Sequence, residues 1–237
     1  MAFDWQNRST ARPAGLADID VGLRQHMLRV YNYMAGGLAL TGIIAYAAAA
    51  SGFYVSLFSV PLLPYVVIFA PLALVFFLSF RIQSMSLGTA QLTFWGYAAL
   101  MGLSLGFIFL VYTHGSIAAT FFITAAMFLG MSLYGYTTGR DLSAMGSFLF
   151  MGLIGIIIAG LVNMFIASSA LQFAISIIGV IVFTGLAAYD TQKIKEIYYA
   201  GDDDVIAGKK AIMGALRLYL DFVNLFLMML RLMGQRR

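Results

Sequence analysis

Seven separate runs of this chain stay apolar for roughly 20 residues, the length a helix needs to cross the hydrocarbon core of a bilayer. They fall at 30–50, 60–80, 91–112, 117–136, 145–167, 171–191 and 211–230. In lipid every backbone polar group has to be bonded within its own segment, so runs of this kind fold as helices and leave little room for anything else. Composition agrees: 62% of the 237 residues are hydrophobic and 10% are charged, against roughly 25% charged in soluble domains. The expected fold is an all-α membrane protein, a bundle of about seven transmembrane helices. The 24 glycines suit close helix contacts. Pro61 and Pro64 suit a helix start and Pro71 predicts a bend in the second span.

Residues 1–29 carry Asp4, Asp18 and Asp20 among Arg8, Arg12, Arg24 and Arg29, with no small-residue cleavage site after a short apolar stretch, so they are expected to form a cytoplasmic N-terminal segment. Residues 30–231 form the seven-helix domain and 232–237 a short basic tail. Basic flanks are retained in the cytoplasm. Arg81, Arg140, Lys193, Lys195, Lys209 and Lys210 lie in the loops on the same side as the N-terminal arginines, while the loops on the other side carry no Lys or Arg. The N-terminus is therefore expected on the cytoplasmic side of the membrane. The tail bearing Arg231, Arg236 and Arg237 lies outside if the last segment crosses fully and inside if it re-enters; its length favours a full crossing.

A charge inside a membrane helix costs a few kcal/mol even on insertion scales, so each needs a partner or a purpose. Four candidates stand out: Arg81 at the end of span two, Asp190 near the end of span six, and Arg217 and Asp221 inside span seven. Spans six and seven are joined by one loop on the basic side, which allows Asp190 and Asp221 to meet. Two carboxyls close together in a low-dielectric site share a proton and titrate as a coupled unit. They also attract cations, and Ca²⁺ takes carboxylate, carbonyl and water oxygens. Two carboxylates supply few of its six to eight ligands, so weak or transient binding fits better than storage. Simpler readings stand beside this one. Arg217 and Asp221, four apart, could neutralise each other. Asp190 could mark the exit into water, Arg81 could be an ordinary headgroup anchor, and Asn224 could be a supporting polar residue bonding between helices.

The segments GLAAYDTQKIKEIY at 185–198 and ALRLYLDFVNLFLMMLRL at 215–232, with TTGRDLSAMGSFLFMGL at 137–153, resemble the Bax-inhibitor-type (transmembrane Bax inhibitor motif) family in its prokaryotic branch, from about Arg24 onward. The resemblance implies a seven-helix fold and a proton-gated ion leak, chiefly for Ca²⁺. It assigns the pH-sensitive centre to Asp190 and Asp221 and, by position alone, the arginine that latches onto them to Arg81. Arg217 is a second possible counter-ion. The acidic run Asp202, Asp203 and Asp204 is expected to be a solvated loop.

With no cysteine there is no thiolate metal site or cysteine nucleophile. No nucleotide-binding glycine loop, serine triad or histidine metal pair appears, and His26 and His114 are assigned no chemistry. An intramembrane aspartyl protease also pairs two aspartates, but needs Gly-x-Gly-Asp where this chain has Leu218, Tyr219, Leu220 and Asp221. The expectation is a non-enzyme with no cofactor, whose partners are the bilayer, Ca²⁺ and protons rather than nucleic acid. Its alternatives are a proton-coupled cation exchanger and a non-transporting regulator of stress or cell death acting through protein partners.

Overall fold

The computed structural model describes residues 15–237, with side chains from Val21. Among these residues it contains nine helices: α1 (Gly15–Ala50), α2 (Phe53–Phe58), α3 (Leu63–Arg81), α4 (Leu87–Leu105), α5 (Ile108–Val111), α6 (His114–Thr137), α7 (Ser143–Ile166), α8 (Ser169–Glu196) and α9 (Asp204–Met233). Seven spans are long and apolar enough to cross a membrane; α5 completes the span that α4 begins, and α2 is a short connector. The all-α bundle expected from the apolar runs is the fold.

Element boundaries differ from the apolar runs where backbone chemistry intervenes. Helix α1 is helical from Gly15 rather than from residue 30, giving 36 residues, about 54 Å of helix. Pro13 is the last helix breaker before it, and nothing from there to Val30 interrupts a helix. Residues 1–14 lie outside the described part. The third run is divided at Gly106, where a Cβ would sit 2.6 Å from the Ala45 carbonyl oxygen and also against the Tyr54 hydroxyl. The second run begins late because Pro61 sits in the turn that leads to Leu62, a residue held at φ 73°, while Pro64 occupies the first turn of α3. Pro71 is buried inside α3, which continues through it.

Helix α9 is the axis of the molecule, packed by α8, α1, α6 and α4. Outside this ring, α3 rests on α4 and α7 on α8. These two outer helices expose Phe69, Phe76, Phe80, Phe148, Met151 and Phe165, a pattern that lipid tolerates because its tails are as apolar as the side chains. Close approach of the inner helices depends on glycine. At Gly135 of α6 a Cβ would lie 2.8 Å from the Cα of Ala188 in α8.

The last segment crosses the whole bundle. After α9 ends, the backbone N–H of Thr113 donates to the Gln235 carbonyl at 3.0 Å, the Arg237 N–H to Val111 at 3.0 Å, and the Gln235 N–H to Ser116 Oγ at 2.9 Å. Arg236 stands over the Tyr112 ring. These bonds pin the tail to the end opposite Arg81, Arg140 and the lysines that flank the α8–α9 loop, so a re-entrant path does not occur.

Candidate functional site

Asp190 and Asp221 come together because each lies on the stripe of its helix that faces the other helix. In α9, Asp221 is seven residues from both Gly214 and Met228, which touch Ile194 and Gly179 of α8. In α8, Asp190 falls on the stripe that joins Gly179, Phe183, Leu186 and Ile194, positions one helical turn apart along one face. The two carboxyls lie within hydrogen-bonding reach of each other. Asp221 is 5% exposed, and its Oδ2 is buried with no protein partner among the described residues. Asp190 is half-buried.

The two counter-ion candidates separate in space. Arg217 is near enough for its charge to act on both carboxyls. It does so from beyond ion-pair distance, since the ion pairs among the described residues are Lys193–Glu196 at 2.7 Å and Lys210–Asp202 at 2.5 Å. Arg81 is exposed at the end of α3, a helix that packs on α4, and it is not among the charges acting on the pair. Asn224 bonds within its own helix, its Nδ2 donating to the Leu220 carbonyl at 2.8 Å, rather than across to a neighbour.

The polar run that begins at Asp190 does not mark an exit into water. Thr191 is fully buried and Gln192 is 5% exposed. Thr191 Oγ1 donates to the Ala187 carbonyl at 2.7 Å, which leaves it to accept from Ser132 at 2.7 Å, and Ser132 in turn accepts from Tyr31 at 2.5 Å. This chain of hydroxyls ties α1, α6 and α8 together beside Asp190. Gln192 secures the α6–α7 connection, accepting from the Leu142 N–H and donating to the Arg140 carbonyl, both at 2.8 Å.

The family model described as "Inhibitor of apoptosis-promoting Bax1" matches residues 23–237. The chain belongs to the Bax-inhibitor family. Its relatives there include protein RP147 of Rickettsia prowazekii, 53% identical over 221 residues and 92% of each chain. The inner membrane protein YbhL of Escherichia coli K12 is 52% identical over 219 residues, 91% of this chain and 94% of its own. A membrane protein of Streptococcus pyogenes is 37% identical over 220 residues, 91% and 95% of the two chains. Both the site-bearing helices α8 and α9 lie within the Bax-inhibitor match.

Sequence reasoning on this Bax-inhibitor family member missed three local features. Tyr31 and Ser132 carried no signal, since single hydroxyls in apolar runs are common. Asp203 is a helix cap rather than part of a loose acidic loop, its carboxylate accepting from the Ile206 N–H at 2.7 Å, and Asp202 holds Lys210. The acid immediately before an apolar helix was the available signal. His26 is buried, its Nε2 without a protein partner among the described residues and its ring 5.8 Å from the Tyr198 ring, whereas His114 is exposed beside Phe109.

Proposed function

We propose that this membrane protein is a pH-sensitive cation leak channel of the bacterial inner membrane, with Ca²⁺ as the principal ion, gated by protonation of Asp190 and Asp221. The observation that carries the reading is the carboxyl pair at the α8–α9 interface, one member of it almost wholly buried. Two acids so placed share a proton, and the charge on the pair changes with pH. A negative pair in a helix-lined interior attracts cations. Two carboxylates, helped by carbonyls and water, are a small donor set against the six to eight oxygens of a tight Ca²⁺ site, which favours passage over retention.

In this reading the basic end of the bundle faces the cytoplasm, following the distribution of Lys and Arg. Arg217 is the counter-ion that tunes the pair, since its charge reaches both carboxyls, and Arg81 acts as a headgroup anchor. Ca²⁺ flux into liposomes across a pH series tests the proposal. The parent protein passes Ca²⁺ with a pH-dependent rate, and Asp190→Asn and Asp221→Asn each lose that dependence. Unchanged flux and unchanged pH response in both variants would overturn it. Flux that saturates and requires a proton gradient would instead mark an exchanger.

A further inference from the structure

Helices α1 and α6 both pack on α9 and scarcely touch each other. Toward the basic end of the bundle they part to leave a groove of about 760 Å³, within the roughly 300–1,000 Å³ of small-molecule sites. Its walls include Arg24, Leu28 and Tyr31 of α1 and Leu129, Leu133 and Tyr136 of α6. The two helices run in opposite directions, so Arg24 and Tyr136 stand together at the mouth while Tyr31 and Leu129 lie about 10 Å deeper.

The two ends of the groove differ in chemistry. At the mouth Arg24 is exposed. Lys195 of α8 joins it there, donating to the Tyr136 carbonyl at 2.9 Å and standing over the Tyr136 ring. That bond uses one of the three ammonium donors of the lysine. The ion pairs among the described residues involve neither Arg24 nor Lys195. Deeper in, Leu28, Leu129 and Leu133 are each more than half exposed. The floor offers a ligand little polarity, because the Tyr31 and Ser132 hydroxyls are spent on each other and on Thr191.

A groove of this kind opens onto the bilayer, and its apolar walls lose dispersion contacts if nothing lies against them. An acyl chain supplies those contacts. The attached headgroup then falls at the mouth, beside two cations. On the opposite flank of α1, Arg29 shares a second hollow with Tyr33 and Trp95, and aromatic rings beside a basic residue mark the headgroup level of a membrane. Basic pockets between transmembrane helices at the cytoplasmic side hold anionic headgroups. A zwitterionic headgroup would bring its own ammonium against Arg24, whereas an anionic one brings only the phosphate. The same cations repel Ca²⁺, so the mouth is not an ion entrance.

We propose that the α1–α6 groove binds one anionic phospholipid, its phosphate at Arg24 and Lys195 and an acyl chain along Leu28, Leu133 and Leu129. The site does not rest on the leak reading, and its test uses no flux.

The full chain in neutral detergent is titrated with phosphatidylglycerol or with phosphatidylcholine of the same chains, and native mass spectrometry counts the lipid retained. One phosphatidylglycerol per chain is expected to be retained at concentrations where phosphatidylcholine is lost. Arg24→Gln should weaken the retention of phosphatidylglycerol about fivefold, the equivalent of one basic contact, and leave that of phosphatidylcholine unchanged. Leu133→Trp, at a position 62% exposed in α6, fills the groove and should abolish the specific retention, whereas Phe165→Trp, at a position 83% exposed in α7, should not. Equal retention of the two lipids would overturn the site, and so would retention unchanged in both groove variants. A dimer that disappears in Leu133→Trp would also overturn it, by showing a second copy in the groove. Specific retention in a protein that passes no Ca²⁺ keeps the lipid site and removes the leak reading.

Discussion

Four consecutive residues at the end of α8 do four different things. Asp190 faces α9 and the second carboxyl, Thr191 closes the hydroxyl chain from Tyr31, Gln192 holds the α6–α7 connection, and Lys193 pairs with Glu196 at the surface. Their energetic weights differ for physical reasons. An interhelical hydroxyl bond in a membrane protein averages about 0.6 kcal/mol, because the alternative state also finds partners. Tyr31→Phe should therefore lower stability by about that much in a denaturation series in detergent. Gln192→Leu strands the buried Leu142 N–H, and leaving such a group unsatisfied costs about 1–3 kcal/mol. Its unfolding transition should fall well below that of Tyr31→Phe; equal transitions would mean that water replaces the amide. For the proposed gate, Arg217→Gln should displace the pH response of Ca²⁺ flux and Arg81→Gln should leave it in place, because Arg217 lies near the pair and Arg81 is exposed at the end of α3.

Among the helices, contact distance sets what each one tolerates. Gly135 faces the backbone of Ala188, which cannot swing aside, whereas Gly208 faces only the tip of Leu87, and a Cβ at Gly155 of α7 meets nothing within 4 Å. Gly135→Ala should destabilise the protein by roughly 1–3 kcal/mol through overpacking. Gly155→Ala should be neutral or stabilising by about 0.5–1 kcal/mol, since alanine is the better helix former. Thermal unfolding in one detergent orders the two, and the reverse order would contradict the close α6–α8 approach. The start of α9 rests on Asp203, whose capping bond to Ile206 is worth about 1 kcal/mol. Asp203→Ala should show that loss in the same assay, with the further effect of loosening the loop residue Asp202 from Lys210 of α9.

At the scale of the whole molecule, a buried central helix is enclosed by four neighbours and its tail is pinned at the far end. With seven full crossings and the basic end in the cytoplasm, the C-terminus emerges on the outer face. Alkaline phosphatase fused after Arg237 should be active in cells, and a green fluorescent protein fused there should stay dark. Active phosphatase also at a fusion in the α8–α9 loop, or fluorescence at the C-terminus, would contradict that orientation. Along α9 the neighbouring helices leave one narrow line less covered, and Arg217 lies on it.

The sequence by itself determined the fold class, the number of crossings to within one, and which acids were worth attention. Hydrophobic length and isolated charges are local properties, and a bilayer makes both expensive to get wrong. It also placed Asp190 and Asp221 on helices that share a loop. Only the tertiary structure brought the two carboxyls to one interface with Arg217 near them and Arg81 exposed at the end of α3, and buried Thr191 and Gln192. Those outcomes depend on helix rotation and register, which are set by glycine contacts such as Gly135 with Ala188 and Gly214 with Ile194 between segments far apart in the chain. The full crossing of α9 was settled in the same way, by bonds of Gln235 to Thr113 and Ser116 at the start of α6 and of Arg237 to Val111 of α5 that no local pattern encodes.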